Sequence, residues 1–174
     1  MPATQRIRQG VRALFAFSQS IDIDLATRYL NTAQFDLFNQ MQRSEQLHSL
    51  NVLRDVLAQE SITPHDLAIA ALLHDCGKTR YPLAIWQKTL AVLVRAGSPS
   101  TYHRWREASP QNRIKRAVVV AENHPQWSAE LVSATGATER TLWIIAHHAD
   151  SLDNWADHPH CKLLQRLKLA DDAN

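Results

Sequence analysis

Seven consecutive apolar residues, Leu67-Ala68-Ile69-Ala70-Ala71-Leu72-Leu73, run directly into His74-Asp75-Cys76-Gly77-Lys78. The start of this segment carries helix signals. Thr63 is placed to cap it, Pro64 fits the first helical position, where a missing N–H costs nothing, and Asp66 sits where a capping carboxylate belongs. Gly77 supplies a stop. A helix that is apolar on almost every side belongs at the centre of a domain, so it carries His74 and Asp75 into the interior. A buried aspartate needs a partner.

Adjacent side chains on a helix point about 100° apart, so one metal takes both His74 and Asp75 only where the last turn loosens, which a following glycine permits. His-Asp-x-Gly-Lys therefore reads either as a metal corner or as an N–H and carboxylate pair closing a helix end. The remaining chain has to decide between them.

With 174 residues and 45% hydrophobic content, the chain is expected to bury one ordinary core. Only four glycines and few alternating β-branched runs favour an all-α domain. A net charge of +2 gives no reason to expect specific nucleic-acid binding, although base concentrates between Arg95 and Arg116. Cys76 and Cys161 form no disulfide framework, no apolar run is long enough to span a membrane, and no cleavable leader is evident. A soluble cytoplasmic protein is the expectation.

Apolar spacing predicts helices over Ile7–Phe15, Leu25–Met41, Ser44–Leu57, Leu83–Val94, Leu142–His148 and Leu163–Ala170, with Thr138 capping the fifth. The proline of Asn123-His124-Pro125 predicts a boundary, one helix ending at His124 and the next running from Pro125 to Gly136. Ser100–Arg116, which mixes base with aromatics, reads as a loop or lid.

His48, His124, the pair His147-His148 and Asp171 each fall at the end or on the inner edge of a predicted apolar helix, as His74 and Asp75 do. Imidazoles and carboxylates of this kind hold Zn, Mn or Fe, and helical bundles build such sites from facing helices. Glu45 lies one turn before His48, which puts it either within reach of the same centre or, the favoured reading, in the first turn as an exposed glutamate supporting its helix. His65, His158 and His160 read as surface residues, and Asp150 and Asp172 as surface or supporting carboxylates.

In the order His48, His74-Asp75, His124, His147 or His148, Asp171, the chain resembles the HD-domain metal-dependent phosphohydrolase superfamily, in its histidine-rich subgroup. The likeness runs from about Ser44 to Asp172 and is most specific over Leu72–Lys78. It implies a helical bundle over residues 44–174; residues 1–43 lie outside the likeness, and their apolar spacing predicts N-terminal helices packed on the same core. It implies one or two divalent transition metals (Mn, Fe, Ni or Zn): His48, His74, Asp75 and Asp171 as the common set, His124 and His148 adding a second ion, and Asp75 bridging. His147 is the alternative to His148.

The implied chemistry is hydrolysis of a small anionic phosphoester such as a nucleotide by a metal-activated hydroxide, with Asp75 and Lys78 catalytic. Lys78 meets the substrate phosphate in this reading and is an exposed helix-end lysine in the other. His103, Arg104, Arg106, Lys115 and Arg116 either line the entrance and attract the substrate or form an ordinary solvated basic run. No Gly-Tyr-Pro segment follows the paired histidines, which argues against a cyclic dinucleotide, and His124-Pro125 stands where guanosine-tetraphosphate hydrolases carry Glu-Asp. A di-iron oxygenase of the same fold and a metal-stabilised scaffold domain are the competing functions.

Overall fold

A computed structural model describes residues 20–174; the helix expected over Ile7–Phe15 lies outside the described residues. The described chain is helical throughout: α1 (Ile23–Thr27), α2 (Thr32–Gln40), α3 (Arg43–Gln59), α4 (His65–Leu73), α5 (Ile85–Gly97), α6 (Pro99–Arg106), α7 (Arg116–Ser133), α8 (Glu139–His147) and α9 (Cys161–Ala173). Two 3₁₀ segments, Cys76–Arg80 and Leu152–Trp155, complete it, and no described helix is long and apolar enough to cross a membrane.

α4 is the axis of the bundle. Every residue from Asp66 to Leu73 is buried, and α3, α8 and α9 pack around it. Leu50, Leu53, Val56, Ile144, Ile145 and Leu167 meet it in one core, which also takes in Ala26, Leu30, Phe38 and Met41 from the α1–α2 region. Burial of this apolar surface drives the bundle together, and its ends deliver polar residues to one place.

Four local expectations change. The helix expected over Leu25–Met41 is broken, because Asn31 forms a reciprocal capping box with Gln34 and starts α2 afresh. Thr63 does not cap α4; its hydroxyl accepts from Arg166, and Pro64 itself stands at the cap position. α6 is a helix where a loop was expected: Pro99 opens it, and it buries no side chain, so it carries no apolar period. Pro125 starts no helix but lies inside α7, which runs through it.

Asp66 also departs from its expected role as a cap. It is buried and accepts hydrogen bonds from Thr138 at 2.5 Å, Thr141 at 2.9 Å and Arg140 Nε at 2.7 Å, tying the start of α4 to that of α8. Thr138 keeps its predicted role, accepting from the Thr141 N–H. Burial pushes the Asp66 carboxyl up, but the bonds from Thr138, Arg140 and Thr141 outweigh it and hold the group below its ordinary range.

A depressed carboxyl stabilises the fold above its unfolded value, and that contribution disappears as pH falls through the native value. Asp66→Asn should therefore cost about 2 kcal/mol near neutral pH. The gap in Tm between wild type and variant should narrow below about pH 4. Thermal melts across that range check both statements.

Candidate metal centre

The site forms where α4 stops. His74 keeps helical backbone angles, but Asp75 falls to φ −101°, ψ 0°, and the chain tightens into the 3₁₀ segment from Cys76. That loosened turn lets His74 and Asp75 face the same space. Gly77 then lies against α7. Its N–H donates to Ser128 Oγ at 2.7 Å, and a Cβ there would fall 2.4 Å from the His124 carbonyl oxygen and 2.6 Å from the Ser128 nitrogen. Glycine is required here by close approach, and the contact sets α7 beside the His74-Asp75 corner.

Pro125 orients the next histidine. Lacking an N–H, it leaves the Ala121 carbonyl without its helical donor. His124 Nδ1 lies 3.0 Å from that carbonyl and 3.0 Å from Val120 O, and turns its Nε2 inward. His74 Nδ1 lies 3.1 Å from Ala71 O, and His148 Nδ1 lies 2.7 Å from Ile145 O. A carbonyl only accepts, so all three rings carry their hydrogen on Nδ1 and offer the Nε2 lone pair to the centre. Metal-binding histidines are held in this way.

The donor atoms fall into two adjacent sets sharing Asp75. Asp75 Oδ1 is 3.2 Å from His124 Nε2 and 3.9 Å from His148 Nε2, and the two nitrogens are 3.1 Å apart. Asp75 Oδ2 is 3.6 Å from His74 Nε2 and 3.9 Å from His48 Nε2. Asp171 Oδ1 completes this second half, 2.9 Å from His48 Nε2 and 3.7 Å from His74 Nε2. Bonds of about 2.0–2.2 Å to one ion place its donors roughly 3–4 Å apart.

Two features fit a cation. His74 Nε2 is buried and has no hydrogen-bond partner among the described residues. His124 and His148 would direct two lone pairs at each other across 3.1 Å with nothing positive between them. The groups His48–His74–Asp75 and Asp75–His124–His148 each have the separations needed to hold one ion.

The charge states agree. Burial raises the Asp75 carboxyl, but Lys78, His74 and His124 outweigh it and hold it well below the carboxylate range. Burial likewise opposes ionisation of Asp171, yet bonds from His48 and His74 lower it. Burial disfavours charge on His74, but Asp75 and Asp171 outweigh it and raise its pKa to about 9, so a metal at Nε2 would take the place of a proton that the same carboxylates hold there. His148 is pushed down to about 3 by burial and by His74 and His124, which keeps its lone pair available.

Not every candidate joins the centre. His147 turns away, with Nδ1 2.8 Å from Asp150 Oδ2 and its ring 4.1 Å from that of Trp155. Its neighbour His148 is the one directed inward, as adjacent helical positions require. His158 and His160 belong to the same peripheral cluster: the His158 ring stacks 3.8 Å from that of Trp143, and His160 lies 5.7 Å from it. Lys78 is not simply exposed. Its Nζ lies 2.6 Å from Asp75 Oδ2 and 3.6 Å from Glu45; burial opposes its charge, but those carboxylates outweigh it and hold it protonated.

A cleft opens beside Asp75 and Lys78, walled by Met41, Pro82 and Leu83 and by Glu45 and Lys88. Lys78 lines it, but none of the five bases considered for the entrance does. His103, Arg104 and Arg106 are on α6, where Arg106 pairs with Glu122; Lys115 precedes α7, and Arg116 Nε donates to the Pro110 carbonyl. Of the two readings of Glu45 the exposed one fails, since it is buried and accepts from Lys88 Nζ at 2.6 Å; Lys88 itself carries no sequence signal for this place. The i, i+3 spacing of Glu45 and His48 is what brings Glu45 to this side of α3. Lys168, also missed, donates to the His148 carbonyl at 2.9 Å and holds the end of α8.

The sequence model of the HD domain matches residues 46–173, a span that begins just before His48 and ends just after Asp171. No curated protein and no solved structure is significantly similar to the chain.

Proposed function

The chain belongs to the HD-domain family, whose superfamily is one of metal-dependent phosphohydrolases, and from that premise we propose that it hydrolyses a small phosphoester such as a nucleotide. The observation that carries the reading is the set of buried imidazoles whose Nδ1 atoms are committed to backbone carbonyls while their Nε2 atoms converge on Asp75. His48, His74 and Asp171 would hold one divalent ion, His124 and His148 a second, and Asp75 would contribute one oxygen to each. When bound, such ions supply Lewis acidity, lowering the pKa of water and neutralising phosphoryl oxygens.

The chain's own groups have separate tasks. The Ala71, Ala121 and Ile145 carbonyls fix the rings, so that little reorganisation is needed during reaction. Lys78 keeps a permanent ammonium at the mouth of the cleft, where it would meet a phosphate oxygen, and Glu45 steadies it from the other side. Met41, Pro82 and Leu83 form an apolar wall suited to a compact leaving group.

The test is turnover of bis(p-nitrophenyl) phosphate and of a nucleotide panel by the full chain with Mn or Ni. Hydrolysis that stops on chelation and returns with metal is expected. Metal-loaded protein that cleaves no member of the panel, or that consumes oxygen instead, would contradict the proposal.

A further inference from the structure

Ile85, Trp86, Val92 and Leu93 of α5, with Ile114 just before α7, make five of the eight exposed large apolar side chains among the described residues. Stepping about 100° per residue, Ile85, Trp86, Thr89, Val92, Leu93 and Ala96 occupy one arc of roughly 120°. The buried residue of α5 is Gln87, which donates to the Arg113 carbonyl at 2.7 Å and accepts from the Ala84 N–H at 2.9 Å. The helix is thus held inward by a glutamine and turns its apolar stripe outward, the reverse of an ordinary surface helix.

The charge around the stripe is equally uneven. Residues 81–116 contain seven of the 19 Lys and Arg residues and one of the 17 acidic ones, a net +6, while the rest of the chain carries −4. Arg95 lies at the edge of the stripe and its guanidinium sits 5.5 Å from the Tyr102 ring centre, which joins α5 to the basic helix α6. Arg104 is exposed on α6.

We propose that the outward face of α5, with the basic residues of α6 and the segment after it, docks on an anionic phospholipid surface. A bilayer interface meets both halves of the pattern along the whole helix: the acyl boundary receives Trp86, Val92 and Leu93, and acidic headgroups receive the arginines. A second copy of the chain fits poorly, because an isologous pair would set Arg95 and Arg104 of one copy against the same basic residues of the other. The docking stands independently of the phosphoester reading, because the stripe on α5 and the basic residues of α6 include none of the candidate metal ligands.

The test is co-sedimentation of the full-length protein with vesicles of phosphatidylcholine alone and with phosphatidylglycerol added. Binding is expected only to the anionic vesicles, with a blue shift of tryptophan emission. Trp86→Ser with Leu93→Ser should weaken it by more than about tenfold, the worth of one buried side chain, at unchanged Tm. Arg95→Glu should weaken it and flatten its salt dependence. Absence of binding to anionic vesicles would overturn the proposal, as would binding that the Trp86/Leu93 pair leaves unchanged. Equal affinity for soluble poly-glutamate, lost in the same pair, would assign the face to an acidic protein and overturn it too.

Discussion

Asp75→Asn is expected to lower phosphoester turnover by at least about a thousandfold, because single groups aimed at developing charge are already worth about 10²–10³. Asp75 serves both halves of the centre: Oδ1 faces His124 and His148, and Oδ2 faces His74, His48 and Lys78. Asparagine keeps the shape but offers one oxygen, no charge and an NH₂ group. If the NH₂ faces Lys78, two donors meet 2.6 Å apart; if it faces His124, it displaces a ligand. Either way one half of the site loses its carboxylate. Far-UV circular dichroism should stay helical, and metal content should fall by at least one ion per chain. Turnover within about tenfold of wild type would remove Asp75 from the mechanism, since loss of a shared ligand must cost more than loss of a supporting contact.

Gly77→Ala is expected to damage the same centre without touching a ligand. The new methyl would meet the His124 carbonyl and the Ser128 nitrogen, both backbone atoms, at 2.4 and 2.6 Å, so α7 must move. Overpacking of this kind costs about 1–3 kcal/mol and occasionally more. The displaced helix carries His124, and a shift approaching 1 Å at a site of this kind costs about 10² in rate. A lower Tm together with weakened metal binding is therefore expected, while Gly97→Ala, where an added Cβ meets nothing within 4 Å, serves as the control. A Gly77→Ala protein with wild-type melting and metal affinity would show that the packing of this turn on α7 does not set the site.

What could be read from the sequence was whatever several local signals specified together. Leu67–Leu73 is apolar on nearly every side and ends in His74-Asp75-x-Gly, so its central position and the delivery of His74 and Asp75 into the interior are legible in the chain alone. The histidine order led to the HD family, which the match over residues 46–173 establishes. Asp66 was misplaced because the same residue suits a first-turn cap and a long-range tie, and only the fold brings Thr138, Arg140 and Thr141 to it. Pro125 was misread because proline starts more helices than it interrupts; here the Ala121 carbonyl it frees is taken by the His124 ring. α6 gives no periodic signal because it buries nothing, and the burial of Glu45 is not legible because it depends on Lys88, 43 residues away.

A metal centre here requires residues from α3, α4, α7, α8 and α9 to close around an ion. Anomalous diffraction from crystals grown with Mn or Zn tests this most directly. One or two peaks are predicted between Asp75 and the inward imidazoles, within about 2.0–2.2 Å of Nε2 and carboxylate oxygens, with none beside His147. Metal-saturated crystals with no peak there, or with the ion held elsewhere on the chain, would contradict it.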